Sequence, residues 1–181
     1  LSIASPYYSH GLTLTILTPL LSGGSIAFPS NPYDVHLVEW FETLKPTWFS
    51  ASPTVHLAIS EKLESASSRF THQLRLVSSG GAKLLESVQS KLHNALGIPV
   101  LEHYGMTEAS QISSNIPSSG LHQSGTVGIP PPDTVIVVDS EGNKLASGQK
   151  GEIWVRGPNV TKGYLNVPDL NNEAFSNGWF R

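Results

Sequence analysis

Short apolar runs alternate with amphipathic stretches through the first two thirds of the chain, and this alternation constrains the fold more than any other feature. The clearest helix is predicted for residues 83–96, where Leu84, Val88 and Leu92 share one face and Gly97 follows as a stop signal. Strands are predicted at residues 25–29, 47–51, 74–78 and 98–101. We therefore expect an α/β fold whose mostly parallel βαβ sheet carries helices on both faces.

From about residue 124 the pattern changes to short strands separated by turns. Residues 134–139 and 151–156 are apolar runs on either side of a turn, which is typical of an antiparallel hairpin. The chain is therefore expected to contain two partial subdomains, an α/β subdomain over 1–122 and a small antiparallel β-rich subdomain over 123–181.

Composition excludes several classes of function. The net charge is −3 and the basic residues form no stripe, so a nucleic acid partner is not expected. The chain has no cysteine, which excludes a disulfide framework and a thiolate metal site. No apolar run reaches the roughly 18 residues that a membrane span requires, so no span is expected. We expect a cytoplasmic protein, and a peroxisomal location stays open.

The segment Tyr-Gly-Met-Thr-Glu at residues 104–108 follows a predicted strand. The ring of Tyr104 can stack on a base, and the hydroxyl of Thr107 can donate to a phosphate oxygen. The carboxylate of Glu108 can hold a Mg²⁺ ion that bridges phosphates. These residues alone fit equally well with a polar turn that carries a solvated glutamate.

Two further segments carry weaker signals. Residues 78–84 place the paired glycines Gly80 and Gly81 between a predicted strand and a predicted helix, where the backbone can approach a flat ligand. This segment matches neither the G-x-G-x-x-G fingerprint nor a phosphate-binding loop, so a plain tight turn is the simpler interpretation. Residues 151–166 contain no visible catalytic constellation, and their glycines and Pro158 predict a structural role.

In this order and spacing, the three segments resemble the adenylate-forming superfamily of acyl-CoA synthetases, aryl-CoA ligases, luciferases and adenylation domains. Its members carry S-G-G-A-x-L, Y-G-x-T-E, G-E-I/L-x-V-R-G and G-W-F/Y-x-T-G-D segments, of which the last survives here as Gly178-Trp179-Phe180-Arg181. The resemblance implies that residues 1–122 belong to a nucleotide-binding subdomain. It also implies an ATP-dependent ligase that forms an acyl-adenylate and passes the acyl group to coenzyme A or to a phosphopantetheine carrier protein.

The resemblance implies roles for the matching positions. Tyr104 would stack on adenine, while Thr107 and Glu108 would be catalytic, with Glu108 helping to hold Mg²⁺. The full set of nucleotide-binding positions comprises Gly81, Ala82, Lys83, Glu102, Tyr104 and Thr107.

The carboxylic acid would be bound by Gly80, His10, His56 and His103. His10 matches a histidine at the mouth of the acyl pocket, and His103 occupies a position that is often small, so it would shorten the pocket. The surroundings of His56 resemble those in oxalyl-CoA synthetases. We therefore expect a small or polar acid, with a dicarboxylate as one option, rather than a long-chain fatty acid. Alternatively, His56 and His103 only hydrogen-bond backbone groups.

Three functional parts of the superfamily have no counterpart in these 181 residues. They are a phosphate loop expected before Leu1, a ribose-binding aspartate expected after Arg181, and a C-terminal lid domain with a catalytic lysine. We therefore expect a fragment that is inactive without its lid domain. The alternatives to an acid–CoA ligase are an adenylation domain that loads a carrier protein and an inactive nucleotide-binding module.

Overall fold

A computed structural model describes residues 1–29, 37–65, 71–116 and 124–181, and within these ranges the strands form two four-stranded sheets. The first sheet contains β1 (Trp48–Ala51), β2 (Leu76–Ser79), β3 (Val100–Met106) and β4 (Ser110–Ser114) in that order. The second contains β5 (Val135–Val138), β6 (Glu152–Val155), β7 (Phe175–Ser176) and β8 (Trp179–Phe180) in the order β5-β6-β8-β7. The helices are a π-helix (His10–Leu17), α1 (Thr18–Leu21), α2 (Leu37–Thr43), α3 (Pro53–Ser65), α4 (Glu86–Leu96) and α5 (Pro168–Ala174).

Strand directions confirm the expected fold class. Strands β1, β2 and β3 pair in parallel, with α3 and α4 as the crossovers, while β4 returns antiparallel to β3. All pairs of the second sheet are antiparallel, as the turn-rich sequence predicted. The predicted subdomain boundary between residues 122 and 123 lies outside the described residues, so its position stays a prediction.

The first hydrophobic core lies between the first sheet and its helices. Phe49 of β1 and Val77 of β2 are fully buried, and Phe49 stacks on Phe41 of α2 with ring centroids 5.6 Å apart. From α4, Leu92 enters the same cluster. Burying each such side chain stabilises the fold by about 1.5–3 kcal/mol, which fixes the helices on the sheet.

A second core joins the β3–β4 hairpin to the second sheet. Ala109 and Ile112 of the first sheet region pack in one buried cluster with Val155 and Phe180 of the second sheet. The half-buried ring of Tyr104 packs against this cluster. The tip of the hairpin is therefore held by both sheets.

Several element boundaries differ from the sequence predictions. The predicted strand at residues 25–29 does not form: Phe28 is 59% exposed, and the carbonyl of Ala27 accepts a hydrogen bond from the amide of Ser2. Helix α4 begins at Glu86 rather than at residue 83, because Leu85 is extended. Gly97 ends α4 in the left-handed conformation at φ 65°, as predicted. No helix in the described ranges is both long and apolar enough to cross a lipid bilayer.

Candidate active site

Strand β3 presents neighbouring side chains to different environments. His103 lines a cavity of about 410 Å³, together with His10 from the π-helix and Gly80 from the turn after β2. The next residue, Tyr104, packs on the other side against the second core. Side chains of a strand alternate between its faces, so β3 separates the cavity from the side that carries Tyr104.

Ser78 connects the three histidines predicted to bind the acid. The hydroxyl of Ser50 donates to the carbonyl of Ser78 at 3.1 Å and must therefore accept from Nε2 of His10, 2.8 Å away. The same carbonyl accepts from Nε2 of His56 at 3.0 Å. The hydroxyl of Ser78 bonds to Nδ1 of His103 at 2.9 Å. The rings of His10 and His103 meet edge to face, 5.1 Å between centroids.

Three of the four predicted acid-binding residues line the cavity, and the fourth does not. His10, His103 and Gly80 meet at the cavity, as the acid-binding prediction requires. His56 is fully buried beneath Phe49 and does not line the cavity, so its observed contact is with the Ser78 backbone. Any contact of these residues with an acid stays a prediction.

Burial keeps the histidine cluster neutral. Loss of hydration, with a smaller contribution from the nearby His10, lowers the pKa of His103 to about 4. Burial likewise lowers the pKa of His56 to about 4 and that of His10 below its usual value. At neutral pH His10 and His103 therefore present neutral imidazole rings to the cavity and no positive charge.

The ring of His103 leaves no room for a side chain at position 80. A Cβ on Gly80 would lie 2.1 Å from Nε2 of His103, and the three nearest atoms all belong to that ring. Gly81 differs, because its φ of +90° favours glycine while a Cβ there would have open space around it. Gly81, Ala82 and Lys83 are exposed, so their backbone is accessible to a ligand.

Glu102 lies beneath the turn that follows β2. Its side chain is buried, and Oε1 accepts a hydrogen bond from the amide of Leu84 at 3.0 Å. Asn115 from the end of β4 donates to the carbonyl of Glu102. The observed role of Glu102 is therefore to hold the residues after Gly81, and a direct contact with nucleotide stays a prediction.

Thr107 and Glu108 lie side by side in the turn between β3 and β4, with Thr107 exposed and Glu108 half-buried. The turn is tight: Ser110 takes a left-handed φ of 51°, and a Cβ on Gly105 would lie 2.2 Å from the Ser110 carbonyl oxygen. The hairpin thus presents a hydroxyl and a carboxylate together.

Sequence reasoning missed the residue that bonds to this carboxylate. Tyr164 donates its hydroxyl to Oε1 of Glu108 at 2.8 Å, and this bond raises the pKa of Tyr164. The amide of Thr161 donates to the Glu108 carbonyl at 2.6 Å. Tyr164 belongs to the segment 151–166 that was predicted to be structural. No spacing signal relates it to a residue 56 positions earlier.

The hairpin tip fits a magnesium ion bound together with phosphates. Among the described residues no group of three or more histidine, cysteine, aspartate or glutamate side chains could hold a metal alone. Glu108 offers a single carboxylate, and Mg²⁺ is commonly held by one or two carboxylates plus substrate phosphates and water. The donor set therefore suits Mg²⁺–ATP rather than a metal cage built from protein alone.

The chain is similar in sequence to curated CoA ligases. An oxalate–CoA ligase of Arabidopsis thaliana is 35% identical over 178 residues, which cover 96% of this chain and 35% of that protein. A long-chain-fatty-acid–CoA ligase of Yersinia pestis is 33% identical over 179 residues, covering 96% of this chain and 31% of that protein. The chain thus spans about a third of the length of the curated relatives it matches.

A solved structure shares the fold. The O-succinylbenzoate coenzyme A synthetase of Bacillus subtilis, in complex with ATP and magnesium ion, superposes with a TM-score of 0.81 at 26% identity, covering 99% of this chain and 37% of that chain. A family model described as AMP-binding enzyme matches residues 1–165. Because this match covers more than half of the chain, the chain belongs to the family of AMP-binding enzymes.

Proposed function

We propose that the full-length protein that carries this chain is an ATP-dependent carboxylic acid–CoA ligase. The acid attacks the α-phosphate of ATP to give an acyl-adenylate and pyrophosphate, and the thiol of coenzyme A then takes the acyl group and releases AMP. One observation carries the proposal: strand β3 and its turn bear the cavity-facing His103 and the Thr107–Glu108 pair. An acid in the cavity and a nucleotide at the turn would therefore meet on one strand.

The nucleotide would bind at the edge formed by the turn after β2 and the tip of the hairpin. The exposed backbone of Gly81, Ala82 and Lys83 would line the adenine, and Tyr104 would stack on it. The Thr107 hydroxyl would contact phosphate oxygens. Mg²⁺, when bound by Glu108, would neutralise phosphate charge.

The cavity favours a small or polar acid. Its wall carries the neutral rings of His10 and His103 and the hydroxyl group of Ser9. A long acyl chain there would leave the Ser9 hydroxyl and the Nε2 atom of His103 without partners, which costs about 1–3 kcal/mol for each buried group. Because the cluster is neutral, a dicarboxylate would be held by hydrogen bonds rather than by a cation. Similar relatives carry both oxalate and long-chain fatty acid in their names, so the proposal of a small or polar acid rests on the cavity wall.

The acceptor is proposed as coenzyme A, in line with the names of the curated relatives. A carrier-protein phosphopantetheine would be chemically equivalent, so the acceptor needs its own test. The lid domain that completes the superfamily's active site would be a partner within the same protein. We expect the 181 residues alone to show no turnover.

Carboxylate-dependent exchange of labelled pyrophosphate into ATP tests the proposal in the full-length protein. Oxalate, malonate, acetate and palmitate should be compared, followed by coenzyme A and a carrier protein as acceptors. We expect exchange with one of the small acids, and a loss of about 10²–10³-fold in Glu108→Gln. ATP binding without exchange for any acid would instead support an inactive nucleotide-binding module.

A His103→Gly variant tests the assignment of the acid pocket. Removing the ring enlarges the cavity and deletes an N–H donor, so the preference should move from the small acid towards longer chains. The wild-type protein measured with the same acids is the reference. Equal preference for palmitate before and after the change would show that His103 does not limit chain length.

A further inference from the structure

The segment 159–164 makes three contacts with the Glu108 turn. Besides the Tyr164 and Thr161 bonds to Glu108, the side-chain amide of Asn159 donates to the carbonyl of Ala109 at 2.5 Å. The contacts reach the side chain of Glu108, its carbonyl and the carbonyl of the next residue. The turn that carries the proposed magnesium ligand is therefore bonded to a segment more than 50 residues away along the chain.

Tyr164 is itself held in place. The side chain of Asn171 in α5 accepts from the Tyr164 amide at 2.7 Å and donates to the Tyr164 carbonyl at 2.8 Å. Gly163 allows this approach, because its φ is +142° and a Cβ there would lie 3.0 Å from the Asn171 amide oxygen. The ring of Tyr164 packs against the second core. The backbone and ring of Tyr164 are thus held by contacts other than its bond to Glu108.

One carboxylate oxygen of Glu108 is occupied and the other is available. Oε1 accepts from the Tyr164 hydroxyl, while Oε2 accepts no hydrogen bond from the part of the chain that the structure describes. A carboxylate bonded through one oxygen loses most of its rotational freedom and presents the second oxygen in a defined direction. Partners of this kind, behind a metal ligand, orient the ligand and tune the metal.

We propose that Tyr164 is a positioning residue for Glu108, whose hydroxyl bond orients the carboxylate so that Oε2 faces the magnesium ion of the bound nucleotide. This inference rests on the proposed function, because it requires a nucleotide-bound metal at the hairpin turn. It assigns to the segment 151–166 a part in metal binding as well as in architecture.

The test measures metal affinity rather than turnover. The full-length protein is saturated with a non-hydrolysable ATP analogue and titrated with Mn²⁺, and bound metal is followed by electron paramagnetic resonance. Tyr164→Phe keeps the ring and removes the hydroxyl, so we expect about tenfold weaker Mn²⁺ binding. Affinity for the analogue without metal should be unchanged. Tyr7→Phe is the matched control, since Tyr7 is 94% exposed and is not among the residues that line the cavity.

A double variant separates positioning from a general structural effect. In a Glu108→Gln background the Tyr164→Phe change should add less than a further twofold loss, because both changes act through one carboxylate. Undiminished Mn²⁺ affinity in Tyr164→Phe, or a full additional loss in the double variant, would overturn the inference while the proposed function stands. A wild-type protein whose nucleotide analogue recruits no Mn²⁺ would overturn both.

Discussion

The contact between Gly80 and His103 predicts the effect of adding a single methyl group. In Gly80→Ala the new Cβ would lie 2.1 Å from Nε2, 2.5 Å from Cε1 and 2.8 Å from Cδ2 of the His103 ring. The backbone of Gly80 is not in the left-handed region, so alanine is conformationally acceptable there. The cost of the substitution therefore comes from displacing His103.

Two contributions set the magnitude. Forcing an extra carbon into a filled site costs about 1–3 kcal/mol. Moving the ring also breaks the 2.9 Å bond between Ser78 and His103, which is worth about 1 kcal/mol. We expect the free energy of unfolding to fall by about 2–4 kcal/mol.

A double-mutant cycle identifies the ring as the obstacle. Gly80→Ala is made in the full-length wild type and in a His103→Ala background, and urea unfolding is followed by circular dichroism. Without the ring, the cost of Gly80→Ala should drop below about 1 kcal/mol. Gly81→Ala is the matched control, since its cost of about 1–2 kcal/mol comes from a φ of +90° and should be the same in both backgrounds.

One outcome of the double-mutant cycle would refute this reasoning. If Gly80→Ala is equally destabilising with and without the His103 ring, the ring does not occupy the space above Gly80. The explanation of Gly80 as a requirement of His103 would then be wrong. The pocket assignment that depends on this contact would fail with it.

Three further predictions concern the buried histidines, Asn171 and Glu102. His56 and His103 stay neutral in the fold with a pKa of about 4 but take up protons near 6.5 once unfolded, so stability present above about pH 6.5 should be lost as pH falls towards 4. In urea titrations over that pH range, the free energy of unfolding of His56→Gln should fall less than that of the wild-type protein. Asn171→Ala should lower the free energy of unfolding by about 1–2 kcal/mol and weaken Mn²⁺ binding as Tyr164→Phe does. Unchanged Mn²⁺ affinity would show that the two bonds from Asn171 do not position Tyr164. Glu102→Ala should cost about 2–3 kcal/mol in the same unfolding assay by leaving the buried amide of Leu84 without its acceptor, and a neutral effect would contradict that role.

Local signals account for the elements that sequence reasoning placed correctly. The apolar spacing of α4 and the glycine after it are both contained within a dozen residues, and the structure ends that helix at Leu96 as expected. Residues 25–29 also carry an apolar run but form no strand, since the single bond from the Ser2 amide to the Ala27 carbonyl does not make a strand ladder. Strand β4 was missed for the opposite reason. Its sequence Ser-Gln-Ile-Ser-Ser is mostly polar, and its pairing with β3 makes it a strand.

The candidate site shows the same division between local and distant information. The residues 104–108 were recognised from a contiguous motif, and the structure places Thr107 and Glu108 together at the tip of the hairpin. The bond of Ser78 to His103 and the bond of Tyr164 to Glu108 join residues 25 and 56 positions apart, which a motif cannot encode.

The bond of Tyr164 to Glu108 also connects the second core to the hairpin turn. Glu108 lies on a turn whose left-handed Ser110 and close Gly105 leave its backbone little freedom, but neither residue restrains the glutamate side chain. The restraint comes from Tyr164, which is held by Asn171 and by packing on the core shared with Phe180. A substitution that loosened the second sheet would therefore reach the carboxylate without touching the cavity that holds His103. Changes near Gly80 should instead act on the proposed acid cavity and leave the metal affinity of Glu108 intact. Acid binding and metal binding can therefore be perturbed separately.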